Sequence, residues 1–198
     1  PFPDLEIDIE GLLERNPDFV AWLYYEDGEI NYPVVQENST EVNKYLTTTF
    51  DGTENSSGCI FIPYDADPAF RYKNTFRDNS MFGGLNEVYR DPSEYLNPYF
   101  YIWTKDYEVI QYRIISAFVV EYDSDMYSIP LTDAAYQEYL AASLELGKLD
   151  SYVPFTEEEE AAMEEGNPIV SLSTCYGSAG TDKRLLVQGV EIERRSVR

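Results

Sequence analysis

The apolar positions of this chain change spacing along its length, from a helical period near the amino end to alternating or continuous runs beyond it. Leu5 to Leu23 predicts one or two short helices: Asp8 stands as a cap ahead of Leu12 and Leu13, and Asn16-Pro17-Asp18 caps a second turn leading to Val20 and Trp22. Leu23-Tyr24-Tyr25, the turn residues Glu26-Asp27-Gly28, and Ile30 to Val35 then read as two strands of a hairpin. Pro33 has no N–H to give to a central ladder, so the second strand is expected at an edge or a bulge.

Further along, Glu41 to Leu46 predicts a short helix and Gly58 to Ile62 a strand, and Ser80 to Leu85 leads into a brief helix. Tyr99 to Thr104 and Val109 to Tyr122 are the longest β-rich runs, parted by the polar turn Lys105-Asp106-Tyr107-Glu108. Thr132 caps a predicted helix to Leu146 whose apolar stripe is Tyr136, Tyr139, Leu140 and Leu144. Thr156 with Glu159 has the spacing of a capping box opening another helix. Ile169 to Thr174 and Leu185 to Glu193 are the last two strands. The sum is a mainly β domain, α+β by content, with peripheral helices and a closed barrel. It reads as one domain over 1–198, with amino-terminal helices over 1–22 and the barrel over 23–198.

Composition narrows the function. With 198 residues, 43% hydrophobic and 15% aromatic, the chain is globular and sized for one core. Its net charge of −23 leaves no basic stripe to replace the counterions of nucleic acid. The acidic block Glu157 to Glu160 reads as a solvated helix turn, and no spaced acidic loop with a central Gly appears, so neither a metal nor any other cofactor is expected. No run reaches the length of a membrane helix. The chain starts at Pro1, so it reads as a soluble fragment whose signal or anchor lies outside it.

Two cysteines are present. Cys59, inside Gly58-Cys59-Ile60-Phe61-Ile62, reads as a small buried thiol. Cys175 ends the β-branched, apolar run Val170-Ser171-Leu172-Ser173-Thr174, and Arg184 opens the next run, Leu185-Leu186-Val187. A strand end is rigid enough to aim a nucleophile, and a guanidinium one loop away can hold a developing oxyanion. Two free thiols are expected, one structural and one reactive. Against this stands an absence: the chain contains no His, the usual partner for proton transfer to and from a thiol.

Five segments, in order, resemble the class B sortases, cysteine transpeptidases of Gram-positive cell surfaces. They are Asn16-Pro17-Asp18 with Trp22; Ile30-Asn31-Tyr32-Pro33-Val34-Val35-Gln36; Gly58-Cys59-Ile60-Phe61; Ser80-Met81-Phe82; and Leu172-Ser173-Thr174-Cys175 with Arg184. The predicted helix from Thr132 falls where class B members insert one before the nucleophile strand. The resemblance implies a sortase-type barrel with Cys175 as nucleophile and Arg184 as stabiliser of the substrate carbonyl or oxyanion. By position it places Asn31, Val35, Ser173, Tyr127 and Ile129 along the peptide groove.

The sequence departs from the family at the Tyr-Gly-His segment. Lys73-Asn74-Thr75 looks like its lead-in and Phe76-Arg77-Asp78-Asn79 like the loop after it, so the catalytic His is expected between Thr75 and Phe76. A rival ungapped alignment sets Asn74 in the His place and Tyr72 at the Tyr. Removing about six residues from a buried strand deletes roughly 20 Å of extended chain. Such a loss is expected to unpair neighbouring ladders and open the core.

The implied reaction is cleavage of a sorting signal at a Thr carbonyl through a Cys thioester. The acyl group then passes to an amine of a peptidoglycan precursor or a pilin, on the outer face of the membrane, with an anchor outside these residues. The alternatives are a sortase-like module that binds peptides without turnover for want of the His, and a thiol hydrolase with water as acceptor.

Overall fold

The computed structural model describes residues 1–72, 74–78, 81–91, 97–127, 132–149, 153–177 and 181–198. Eight strands, β1 (Phe19–Tyr25), β2 (Ile30–Gln36), β3 (Ile60–Ile62), β4 (Asn74–Arg77), β5 (Tyr99–Thr104), β6 (Glu108–Glu121), β7 (Ile169–Cys175) and β8 (Lys183–Ser196), close into a barrel in the order β1-β2-β3-β4-β7-β8-β6-β5. Closure leaves no sheet edge unpaired. The pairs β2–β3 and β4–β7 are parallel and the others antiparallel.

The interior is filled from every strand. Phe76, Leu172, Val187, Ile102 and Tyr25 belong to one buried cluster, and the Phe100 and Tyr112 rings stack at 5.0 Å. Gly189 on β8 makes room for that stack, since a Cβ there would lie 2.5 Å from the Phe100 ring.

Among the described residues four α-helices cover the outside: α1 (Ile9–Arg15), α2 (Gly83–Arg90), α3 (Asp133–Gly147) and α4 (Glu157–Glu164). Asp8 caps α1 as expected, accepting the Gly11 N–H at 3.0 Å. The amino end holds this one helix, however, and Phe19 to Trp22, assigned above to helix, already belong to β1. Phe19, Val20 and Ala21 are all buried, so that strand lacks the alternation that marks a half-exposed one. The helix expected over Glu41 to Leu46 shrinks to one 3-10 turn at Lys44–Leu46. Pro33 sits just ahead of Val34, where the rungs with β3 begin, which spares that ladder the missing donor.

The helix α3 buries Tyr139 and Leu140 of its predicted stripe, and Thr132 is its N-cap without a side-chain cap bond. The capping box of α4 is complete: Glu159 N–H donates to the Thr156 hydroxyl at 3.2 Å and the Thr156 N–H to Glu159 at 3.0 Å. The Glu159 carboxylate also accepts from Arg113 Nε at 2.9 Å and from the Tyr99 hydroxyl. Arg113 is 1% exposed and gives its other donors to the carbonyls of Ile114 and Val153. That buried pair pins α4 to the barrel wall.

The barrel closes although the chain lacks the expected His segment. β4 keeps four parallel rungs to β7, from Asn74↔Val170 to Arg77↔Ser173, and one to β3 at Phe61↔Arg77. Thr75 and Phe76 are consecutive rungs in the middle of that strand. The expected loss of ladders does not occur, because the four residues of β4 suffice to bridge β3 and β7.

Candidate active site

Cys175 is the last residue of β7 and Arg184 the second of β8, and they oppose each other in the final rung of that pair. The next residue, Tyr176, donates its N–H to the Lys183 carbonyl at 3.1 Å. Hydrogen-bonded and non-hydrogen-bonded pairs alternate along an antiparallel ladder, so Cys175↔Arg184 is the non-hydrogen-bonded kind. Such pairs bring Cα atoms to about 4.5 Å and send both side chains to the same face. The thiol is exposed and free, whereas Cys59 is 3% exposed with its thiol pushed up to about 12 by burial.

The Arg184 guanidinium is held from two directions. Its Nη1 donates to the carbonyls of Lys183 at 3.0 Å and Thr181 at 3.3 Å, and its carbon lies 5.4 Å from the centre of the Tyr122 ring. Nε and Nη2 keep no protein partner among the described residues. Across the rung from an exposed thiol, two charged donors thus have no hydrogen-bond acceptor among the described residues, while the Arg184 charge acts on Asp78.

Asp78 is a residue the sequence reading passed over as loop. It follows β4 directly, is 6% exposed, and accepts the Phe82 N–H at 2.5 Å. Burial raises its carboxyl to about 6, and the Phe82 N–H, the Thr174 hydroxyl, the Arg184 charge and the Met81 N–H hold the rise back. Since Arg77 pairs with Ser173, Asp78 stands beside Thr174 on the core side of the sheet, one side-chain alternation away from Cys175. It is a wall of the site and not a partner of the thiol. A buried aspartate two residues after a strand phenylalanine carries no local pattern; only the parallel β4–β7 register shows its place.

The other expected site residues spread out. Ser173 shares the face of Cys175, two residues before it, and is 3% exposed. Asn31 and Val35 lie on β2, separated from β7 by β3 and β4. Asn31 is exposed and accepts from the Trp22 indole N–H at 2.7 Å. Val35 is fully buried in a second cluster with Phe61, Cys59 and Leu12. Tyr127 closes a 3-10 turn, Asp125–Tyr127, before α3. Ile129 lies outside the described residues, as do Lys73, Asn79 and Ser80 of the matched segments. No group of three or more metal-ligating side chains occurs among the described residues.

No family model matches the chain. A sortase B of Listeria monocytogenes is 27% identical over 196 residues, covering 92% of this chain and 73% of that protein. Among solved structures, the Staphylococcus aureus sortase B–substrate complex matches with a TM-score of 0.75 at 22% identity, over 96% of this chain and 85% of that one. A sortase B complexed with triglycine matches with a TM-score of 0.74 at 24% identity, over 96% and 86%. The sequence likeness spans nine-tenths of the chain and the eight-stranded closed barrel is shared, so this chain has the sortase fold and is similar in sequence to the sortase B proteins.

Proposed function

We propose that this protein is a cysteine transpeptidase acting on sorting-signal peptides at the cell surface. One observation carries the reading: an exposed thiol and a guanidinium face each other across the last β7–β8 rung, on one face of the barrel end. In the acylation step the Cys175 sulfur bonds to the carbonyl carbon of a Thr, and the Thr–amine bond breaks. The thiol proton leaves on the departing amine. Arg184 Nε and Nη2 supply charged donors for the oxyanion that forms between those events, an effect worth about 3 kcal/mol per donor in related acyl transfers. An incoming amine then attacks the thioester and frees the thiol. Ser173, Asn31, Tyr127 and Ile129 remain the proposed contacts along the peptide, whereas Val35, fully buried in the core, is not one. The relatives' complexes with a substrate and with triglycine support a peptide donor and an amine acceptor, on this chain a wall-precursor or pilin amine.

Among the described residues no helix is long and apolar enough to cross a membrane. Attachment to the outer membrane face would use an anchor beyond these residues.

The absence of any His favours a second reading, a module that captures the peptide without turnover. Product analysis separates them. A transpeptidase gives an amide product when an amine is added and loses it in Cys175→Ala. A capture module gives binding and no product, and a hydrolase gives the acid whether or not amine is present.

A further inference from the structure

We infer that Asn86 and Tyr89 of α2 are positioning residues that fix the peptide of Cys175. This deepens the transpeptidase reading and rests on it for its catalytic consequence. Among the described residues the last rung of β4 with β7 is Arg77↔Ser173, two residues short of Cys175. The Cys175 carbonyl, in a non-hydrogen-bonded pair with Arg184, points away from β8 toward that side. There Asn86 Nδ2 donates to it at 3.4 Å, beyond the last described rung. One helical turn on, the Tyr89 ring meets the Tyr176 ring edge-on, at 5.8 Å and 89°. A side-chain hydrogen bond and an aromatic contact thus clamp two successive residues at the nucleophile.

The helix that supplies them is itself anchored at three places. Asp78 accepts the Phe82 N–H ahead of its first turn. Leu85 and Val88 are buried in the barrel core. Gly84 packs on the β1–β2 turn so closely that a Cβ would lie 2.0 Å from the Gly28 carbonyl oxygen. A platform held this way passes its position to the strand end rather than following it.

The test has one arm that needs no catalysis. Amide hydrogen exchange of Tyr176, whose N–H bonds Lys183, is compared in wild type, Asn86→Ala, Tyr89→Ala and Tyr89→Phe. Exchange at Tyr176 rises about tenfold in the two Ala variants, stays unchanged in Tyr89→Phe, which keeps the ring, and stays unchanged at Val187 in all of them. Equal exchange at Tyr176 in all four proteins overturns the inference. In the second arm, the Ala variants lower kcat for acyl transfer about tenfold with KM unchanged. A wild type that forms no thioester defeats the transpeptidase reading while the exchange arm still decides the clamp; normal kcat in both Ala variants defeats the catalytic part of the clamp.

Discussion

Asp78 accepts the Phe82 N–H from the first position beyond β4, so the strand beside β7 is tied to the residue that precedes α2. The acceptor in that bond is a carboxyl taken out of water, with consequences for stability against pH. The folded state raises Asp78 from 3.8 to about 6, so between those values it binds a proton that the unfolded chain has released. Stability from this group is therefore full below about pH 4 and is lost as pH rises toward about 6, by roughly 2 to 3 kcal/mol. Asp78→Asn keeps an oxygen for the Phe82 N–H and removes the titration. Denaturant unfolding is expected to show wild type gaining on Asp78→Asn as pH falls from about 7 to about 4. A difference between them that does not vary with pH contradicts the assignment.

The buried pair of Arg113 and Glu159 joins α4 to the barrel. Glu159→Ala strands a guanidinium that is 1% exposed, and removing one partner of such a pair costs about 3 to 5 kcal/mol. For a chain of this size the melting temperature falls by about 10 °C. A shift under about 2 °C would mean the pair contributes no more than an exposed one.

The two thiols differ enough to be told apart by a single reagent. Iodoacetamide applied to the native protein modifies Cys175 and spares Cys59, which burial protects both sterically and by raising its pKa to about 12. Peptide mapping reads the site. Comparable labelling of Cys59 before unfolding would show that β3 opens in the native state.

Gly189→Ala places a methyl 2.5 Å from the Phe100 ring and 3.0 Å from Tyr112 Cβ. Both neighbours sit in a stacked pair inside a closed barrel, so neither yields without disturbing the core. Overpacking of this kind costs about 1 to 3 kcal/mol, read as a lower denaturant midpoint. An unchanged midpoint would mean the stack is looser than its 5.0 Å spacing indicates.

How much of this was legible beforehand depended on how local each signal is. The Thr156–Glu159 box, the Asp8 cap and the α3 stripe were readable because their partners lie within one or two helical turns. Cys175 and Arg184 were readable as the end of one apolar run and the start of the next, one loop apart. The start of β1 at Phe19 was not, since a strand covered on both faces shows no alternation. Glu159 read as solvated acid, because Arg113 lies 46 residues away in sequence. Asn86 gave no signal, as its partner is 89 residues away and a single polar residue on a short helix is ordinary. The closure of the barrel without the expected His segment turned on how few rungs β4 needs, which only its pairings reveal.

The measurement that bears most directly on the active-site assignment is intact mass after incubation with a sorting-signal peptide and no added amine. The account predicts a peptide thioester on Cys175 that an added amine discharges, that Cys175→Ala lacks, and that Arg184→Ala forms about a hundredfold more slowly. Saturable peptide binding with no covalent adduct would contradict it and leave this barrel a receptor for the peptide.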